Sequence, residues 1–367
     1  MSTRSSPDES PETLRRLRLC DQSLSTPLAG SPGELVHRLV AMQAQDYLGA
    51  LWAVGVRLEN TTQASVTQAL QDHTILRTWA LRGTLHLVSP EDIRWLLALV
   101  RPRQITVNAR RYGQLELDEA TLNRASQILY TALQGVESLP RPALLEHLER
   151  HGISTAGQRG VFMLQRASLE GLICQDVTRR GVSTFLALDK VPSASQAAFP
   201  PEEAAARLAR RYFTTHGPAT LPDFAWWSGL PAAVAREALA SVASRLTTWA
   251  HSGQTYYLSS EVGGTTAFPA PTAHLLPAFD EFLLSYTERS ASLEPRYSMK
   301  INLGNGLSPI LVLDGQVRGL WKRQLHKEAV SITLAPFEPL TGAQKQAVEN
   351  AALRYGAFHD LPVRLSW

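Results

Sequence analysis

The sequence of 367 residues contains only two cysteines, Cys20 and Cys174, which form no C-x-x-C pair and lie beside no paired histidines. This spacing provides neither a disulfide framework nor a zinc site, and we expect both thiols to be buried structural side chains. The sequence also lacks H-E-x-x-H, G-x-x-x-x-G-K-[ST] and G-x-S-x-G. These absences argue against zinc-peptidase, P-loop and serine-hydrolase chemistry. We therefore expect neither a metal nor a cofactor.

Long hydrophobic runs are absent as well. The apolar stretch from Trp95 to Val100 is among the longest, and it falls far short of the roughly 18 to 20 residues that cross a bilayer. Residues 1–11 contain acids and prolines and no apolar segment, which predicts a disordered tail and not a secretion signal. We therefore expect a cytoplasmic protein that does not contact a membrane.

Lysine is scarce in a chain with a formal net charge of only +3. Arginine supplies 31 of the 36 basic residues, and its guanidinium group suits forked contacts to phosphate. A GC-rich genome would produce the same bias, so the composition permits nucleic-acid binding without requiring it. The five lysines are Lys190, Lys300, Lys322, Lys327 and Lys345.

A pattern of helices followed by a β-hairpin recurs three times along the chain, which is typical of winged-helix units. In the first copy a helix is predicted for ELVHRLVAM, ending at Met42, and the hairpin turns at Arg82-Gly83. The second copy ends in a hairpin that turns at 178–181, with a basic tip. In the third copy the hairpin turns at 251–254.

Two segments, 191–200 and 262–273, are small, proline-rich and uncharged, as expected of connectors. Beyond Leu275 strand patterns dominate, with one helix near the end. The predicted fold class is α+β, with three tandem winged-helix units and a C-terminal β-rich region that forms a partial barrel. The expected domains are a tail at 1–11, winged-helix units at 12–134, 135–192 and 201–261, and the β-rich domain at 270–367.

Five stretches, in the same order along the chain, resemble a known winged-helix family, that of the AlkZ-like and AlkX-like DNA glycosylases. The resemblance runs from about residue 12 to the C-terminus and implies a concave basic surface for duplex DNA. The stretches are AMQAQDY (41–47), RTWALRGTLHLVSPED (77–92), LPDFAWWSGL (221–230), LLPAFDEFLLSY (275–286) and NGLSPILVLDGQVRGLW (305–321).

The resemblance implies that the catalytic element is a glutamine, an apolar residue and then glutamine or aspartate, which here is Gln43, Ala44 and Gln45. The second glutamine is typical of the AlkZ-like branch, which is associated with unhooking interstrand crosslinks. Residues two apart share a face only in an extended segment, so Gln43 and Gln45 can act together only if the helix before them ends by Met42 or Gln43. Asp46 is a candidate N-cap for the next helix. Without the resemblance, an ordinary polar helix end accounts for the same residues.

The chemistry expected of two amides is modest. An N7-alkylated purine is cationic and leaves without a strong acid, so Gln43 and Gln45 need only position a water against C1′. Glutamine is a poor general base, which restricts the substrates to alkylated nucleotides. A strand-nicking glycosylase also needs an amine, and the first lysine is Lys190. We therefore predict a monofunctional enzyme, unless the fold brings Lys300 or Lys322 to the glutamines.

The predicted partner is double-stranded DNA that carries alkylated purines or crosslinks, bound by a monomer associated with the nucleoid. Basic side chains near the first two hairpins and in the segment RPRQITVNARRYGQ are candidates for phosphate contacts, although a solvated helix face and a packed histidine are the simpler explanations. The candidates are Arg82, His86, Arg101, Arg103, Arg110, Arg111, Arg179 and Arg180.

Two further interpretations concern aromatic and acidic clusters. Phe224, Trp226 and Trp227 are predicted to be core residues and not a stacking surface for bases. The segment 279–281 is predicted to be a structural hinge of the C-terminal region and not a carboxylate pair for catalysis. The alternative function is a non-catalytic winged-helix DNA-binding protein or regulator, which would normally act as a symmetric dimer; the glutamine pair distinguishes the two. A self-resistance protein that sequesters one bulky adduct is a third, weaker possibility.

Overall fold

The computed structural model describes residues 10–177, 183–192, 194–195, 198–251, 253–260, 271–303 and 306–367. The helices are α1 Pro11–Asp21, α2 Pro32–Leu39, α3 Tyr47–Gly55, α4 Gln63–Gln71, α5 Ile93–Gln114, α6 Glu119–Gln134, α7 Arg141–Arg150, α8 Arg159–Leu169, α9 Pro201–Thr215, α10 Leu221–Ser228, α11 Ala232–Val242, α12 Glu281–Leu284, α13 Ser298–Ile301 and α14 Gly342–Phe358. The strands are β1 Ala41–Gln43, β2 Leu76–Trp79, β3 Leu85–Val88, β4 Ile173–Val177, β5 Ser183–Ala187, β6 Leu246–His251, β7 Gln254–Ser259, β8 Ala273–Leu276, β9 Asn302–Leu303, β10 Gly306–Leu307, β11 Ile310–Leu313, β12 Gln316–Leu325, β13 Val330–Pro336 and β14 Val363–Ser366.

The helix-then-hairpin order expected from the sequence is present in all three segments. The first hairpin, β2 and β3, pairs antiparallel on either side of Arg82-Gly83, and the third is formed by β6 and β7. The first two hairpins join into one five-stranded sheet, in the order β1-β3-β2-β4-β5, which the sequence did not indicate. The predicted tip of the second hairpin, at 178–181, lies outside the described residues. The number of true winged-helix units stays a prediction.

Helix α2 begins and ends within a few residues of its prediction, but its C-terminus was placed too late. A capping box between Ser31 and Glu34 defines its start. It ends at Leu39, not at Met42, because Val40 has a φ of 70° and a ψ of −55°, which no helix tolerates. This left-handed backbone is unfavourable for a β-branched residue, and Val40 is completely buried. Surrounding packing therefore fixes the turn that leads into β1.

The C-terminal strands form an open mixed sheet in the order β14-β13-β12-β11-β8. Within this sheet β8, β11, β12 and β13 pair antiparallel, whereas β14 is parallel to β13. The tight turn between β11 and β12 passes through Gly315, with a φ of 76°, as its glycine predicts. Helix α14 packs against this sheet and begins one residue after the predicted Thr341. The described strands do not close into a barrel.

The largest hydrophobic core is shared by helices α2 to α4 and the C-terminal sheet. Trp52 of α3 is fully buried there, with its ring centroid 4.9 Å from that of Tyr355 and 5.1 Å from that of Phe358. Its indole Nε1 donates to the Leu275 carbonyl at 2.6 Å. The first and last parts of the chain are therefore packed together, and this contact places the segment after β8 beside β1. The predicted domain limits stay a prediction.

Candidate active site

The segment that carries Gln43 and Gln45 is extended, as the proposed chemistry requires. Strand β1 ends at Gln43, and Ala44 continues the pairing by donating its N–H to the Leu85 carbonyl at 2.7 Å. Residues 43 and 45 consequently project from the same side of the segment. Asp46 occupies the N-cap position of α3, but its side chain makes no capping hydrogen bond; it pairs with Arg323 instead, at 3.1 Å.

Backbone donors hold both glutamine side chains. Gln43 is only 8 % exposed, and its Oε1 accepts a hydrogen bond from the Gln45 N–H at 3.3 Å. The Gln45 side chain is exposed, and its Oε1 accepts from the Leu85 N–H at 3.2 Å. Each amide oxygen keeps a second lone pair, and each amide nitrogen carries two hydrogens. The pair can therefore orient a small polar molecule without first giving up its own positioning contacts.

A buried carboxylate lies directly behind Gln43. Glu281, at the start of α12, is 2 % exposed, and its Oε1 accepts the Gln43 backbone N–H at 2.8 Å. Its Oε2 accepts from the Trp227 indole at 3.0 Å and from the Ser285 hydroxyl at 2.5 Å. Sequence reasoning treated this segment as a hinge and missed the contact. The available signal was a pair of acids, Asp280 and Glu281, inside the apolar stretch LLPAFDEFLL, which also belongs to one of the five family-like stretches.

Arg77 of β2 holds the other side of the same segment and was also missed. Its Nε and one terminal nitrogen donate to the Ala44 carbonyl at 3.1 and 2.8 Å. Its other terminal nitrogen donates to the Gln175 side chain on β4. The forked geometry of a guanidinium permits all of these contacts at once. The peptide between the two glutamines is thus anchored from the sheet.

The imidazoles around the site are neutral at ordinary pH. His86 of β3 lies opposite Gln43 in the antiparallel register and is completely buried. Burial, helped by the nearby Arg82, lowers the pKa of His86 to about 3. Burial likewise lowers the pKa of His216 to about 3, with Arg57 as the next contributor. Burial raises the pKa of Glu281, and the hydrogen bonds from Ser285 and Gln43 and the charge of Arg82 partly oppose this rise.

The predicted DNA contacts of the first hairpin lie close to the glutamines but differ in exposure. Arg82 is half-buried in the turn, and its guanidinium donates to the carbonyls of Trp226 and Trp227 at the end of α10. Burial lowers the pKa of Arg82. His86 is enclosed, with Nδ1 2.9 Å from the Thr84 carbonyl. The DNA-binding roles of both residues stay predictions.

The turn that carries Arg82 is fixed against α5 and α8. Gly83 has a φ of 70°, and a Cβ there would lie 2.7 Å from Gln104 Oε1, so this position requires glycine. The Gly83 carbonyl accepts from Gln165 Nε2 at 2.9 Å. Gln165 in turn accepts from Asn108 of α5 at 2.9 Å. Helix α5 therefore lies beside the first hairpin.

The four predicted arginines of α5 lie on more than one side of the helix. Arg103 and Arg110 are seven residues apart, which places them almost in line on one face, and both are exposed. Arg101 is also exposed but is about 200° from Arg103. Arg111 is half-buried and donates to Gln114 and Gln158 at 2.9 and 2.8 Å. Arg179 and Arg180 lie outside the described residues.

The aromatic cluster on α10 is only partly core. Phe224 and Trp227 are completely buried, as predicted, but Trp226 is 45 % exposed. Its indole donates to the Leu284 carbonyl at 3.1 Å, and the Arg82 guanidinium lies 5.8 Å from its ring centroid. The prediction that all three rings are core was wrong for Trp226, because the residue faces outward beside the hairpin turn.

Two absences among the described residues bear on the class of site. Within these ranges no three histidine, cysteine, aspartate or glutamate side chains converge in a way that could hold a metal ion. No described helix combines the length and the apolar character needed to cross a membrane; α5 is long, but it contains exposed arginines.

Comparison with known proteins identifies the family to which this chain belongs. The family model described as "DNA glycosylase AlkZ-like" matches residues 36–358, and the chain belongs to this family. A curated relative, the interstrand DNA cross-link repair glycosylase of Streptomyces sahachiroi, is 26 % identical over 95 % of this chain and 97 % of its own length. The solved structure of the DNA glycosylase AlkZ from Streptomyces sahachiroi has a TM-score of 0.76 and 24 % identity, and the alignment covers 97 % of this chain and 99 % of that one.

Proposed function

We propose that the protein is a monofunctional DNA glycosylase that excises N7-alkylated purines and unhooks interstrand crosslinks, with Gln43 and Gln45 positioning the water that attacks C1′. The observation that carries this proposal is the extended, doubly anchored segment that presents both amides on one side. Family membership supports the reaction class. The relative's description as an interstrand cross-link repair glycosylase supports crosslinks as substrates.

The neutral character of the site fits a substrate that is already activated. An N7-alkylated purine carries a positive charge, so its departure needs no strong proton donor. The buried imidazoles His86 and His216 have pKa values lowered to about 3, and neither is a proton donor at neutral pH. Two amides can orient water and accept its hydrogens, but they cannot fully deprotonate it. Unmodified purines should therefore remain in the DNA.

The surroundings of the lysines support a reaction without strand cleavage. A lyase step requires an unprotonated amine at C1′. Lys190 donates to the carbonyls of Leu133, Gln134 and Val136 beyond the active-site sheet. The Nζ of Lys300 lies 5.3 Å from the ring centroid of Tyr297. Neither has a contact with the glutamine segment among the described residues. Lys322 is exposed on β12, next to Arg323, which pairs with Asp46, but successive strand residues point to opposite faces. We therefore expect the product to be an intact abasic strand.

We further propose that duplex DNA binds across the face of α5 that carries Arg103 and Arg110 and past the turn at Arg82. The exposed guanidinium groups would contact phosphates, and Leu85, just after the turn, donates its N–H to the Gln45 side chain. A single chain supplies both surfaces, which supports action as a monomer.

The proposal is tested with purified protein and a duplex that contains one N7-methylguanine. The expected result is release of the free base, with strand breaks appearing only after alkali or a separate lyase is added. A parallel duplex with a nitrogen-mustard crosslink should be converted to single strands. Borohydride trapping should give no covalent complex. Tight binding to both duplexes without base release would contradict the proposal and would favour the non-catalytic DNA-binding alternative.

A further inference from the structure

We propose that Glu281 is a positioning residue of the excision reaction, whose ionised carboxylate fixes Gln43 and stabilises the positive charge that develops on the sugar. This inference rests on the proposed function and concerns the same site. It assigns a charged group to a site whose two substrate-facing side chains are neutral amides.

The first step of the argument is the position of the carboxylate on the strand. Strand β1 is the outermost strand of its sheet, so only one of its two edges is paired, with β3. The Gln43 N–H therefore has no strand partner, and in a residue that is 8 % exposed an unpaired donor is costly. Glu281 Oε1 accepts this N–H at 2.8 Å. A side chain 238 residues away in the chain thus completes the active-site strand.

The second step concerns the protonation state that the contacts favour. An ionised carboxylate accepts hydrogen bonds only, whereas a protonated one must also donate. All three contacts of Glu281 come from donors: the Gln43 N–H, the Trp227 indole N–H and the Ser285 hydroxyl. This arrangement is satisfied in full by a negative charge. Protonation would turn one oxygen into a donor, and of the three partners only the Ser285 hydroxyl could reverse its bond and accept that proton.

The third step is the balance of charges around the carboxylate. His216 Nε2 lies 4.0 Å from Glu281 Oε2, and burial keeps this imidazole neutral by lowering its pKa to about 3. Asp280, next in sequence, raises the pKa of Glu281, although Arg57 pairs with Asp280 through two contacts at 2.9 and 2.8 Å. Burial is the largest influence and raises the pKa of Glu281, whereas Arg82, in the hairpin turn, favours the ionised form. The charge of Glu281 is therefore not cancelled by a contacting cation.

The chemical consequence follows from the transition state. As the base leaves, positive charge grows on the sugar ring, and a nearby fixed negative charge in a site of low dielectric lowers the free energy of that state. The same carboxylate also holds the backbone of Gln43 in place. Loss of the charge should therefore slow the chemical step more than it weakens the binding of DNA.

The first experiment compares the wild-type protein with Glu281→Gln in single-turnover release of N7-methylguanine at saturating protein. We expect the rate to fall on the order of 100-fold, as for the loss of one preorganised electrostatic contact at a transition state, with DNA affinity unchanged. Glu338→Gln, the same substitution at an exposed glutamate paired with Arg296, is the matched control. An unchanged rate in Glu281→Gln would overturn the inference.

The second experiment separates charge from folding by measuring binding alone. Duplexes carrying a cationic pyrrolidine in place of the sugar mimic the developing charge, and duplexes carrying a neutral tetrahydrofuran do not. We expect the wild-type protein to prefer the cationic analogue and Glu281→Gln to lose that preference while it keeps its affinity for the neutral one. An equal preference in both proteins would overturn the inference.

The third experiment uses a milder variant in case Glu281→Gln is unstable. The Ser285 hydroxyl lowers the pKa of Glu281, so Ser285→Ala should raise it. The excision rate of wild-type protein should fall as the pH falls through this pKa, and Ser285→Ala should move that decline to higher pH. An unmoved decline would contradict the role of Glu281. The proposed function fails separately, if the wild-type protein releases no base at any pH.

Discussion

The glutamine segment and the arginine face of α5 are built in opposite ways. The segment around Gln43 and Gln45 is three strand residues and a short extension, and it is held by Arg77, Leu85 and Glu281 from distant parts of the chain. The arginine face belongs to α5, one continuous helix of 22 residues, and its guanidinium groups are exposed. The first region depends on fixed geometry, whereas the second depends mainly on charge. Substitutions in the two should therefore affect different steps.

The largest expected effect comes from the double substitution Gln43→Ala/Gln45→Ala. Removal of both amides should lower the single-turnover rate of N7-methylguanine release on the order of 1000-fold, because water is no longer oriented at C1′. DNA affinity should stay the same, since neither residue carries charge. Gln346→Ala, on the exposed part of α14, is the control for a lost amide. A variant that still releases the base at the wild-type rate would remove the catalytic assignment.

An intermediate effect is expected from Arg77→Ala, which tests whether geometry alone matters in the first region. Arg77 faces the Ala44 carbonyl and not the exposed amides, so it should act by holding the segment in place. We expect the rate of base release to fall on the order of 10-fold to 100-fold, as for small misplacements of catalytic groups.

Arg77→Lys distinguishes position from charge in the same assay. Lysine keeps the positive charge but cannot fork between two acceptors, so it should restore little of the rate. If Arg77→Lys recovers the wild-type rate, the region depends on charge and the contrast with α5 disappears.

The smallest effect on catalysis is expected from Arg103→Gln/Arg110→Gln on α5. Loss of two phosphate contacts should flatten the dependence of log affinity on log salt by about 1.8, at about 0.9 per contact. The rate at saturating protein should not change. Arg236→Gln/Arg364→Gln removes the same charge from exposed sites on α11 and β14 and should leave the salt dependence unaltered. Equal effects of the two pairs would show that only net charge matters.

The same contrast explains what could be predicted from the sequence. The three helix-then-hairpin segments and the turn at Arg82-Gly83 follow from local patterns of glycine, β-branched residues and helical spacing. The sequence argument required residues 43 to 45 to be extended, and they are. Helix α2 nevertheless ends earlier than predicted, at Leu39. These features depend on neighbours in the chain, which a sequence displays directly.

The contacts that complete the site depend on tertiary packing and could not be predicted. Glu281 reaches Gln43 only because α3 and the C-terminal sheet share one core around Trp52. Arg77 looks like an ordinary strand residue until β2 pairs with β4. Trp226 is exposed although its neighbour Trp227 is completely buried. In a helix of only eight residues, the spacing of apolar residues did not show which of the two rings would be buried. No local pattern encodes such partners.

The measurement that tests the account most directly is the single-turnover rate of N7-methylguanine release, determined together with the affinity for the same duplex, for the glutamine and arginine double variants. The account predicts that Gln43→Ala/Gln45→Ala loses the rate and keeps the affinity, whereas Arg103→Gln/Arg110→Gln loses affinity and keeps the rate. If both variants lose rate and affinity together, or if the glutamine variant keeps its rate, the assignment of catalysis to the Gln43–Gln45 segment is contradicted.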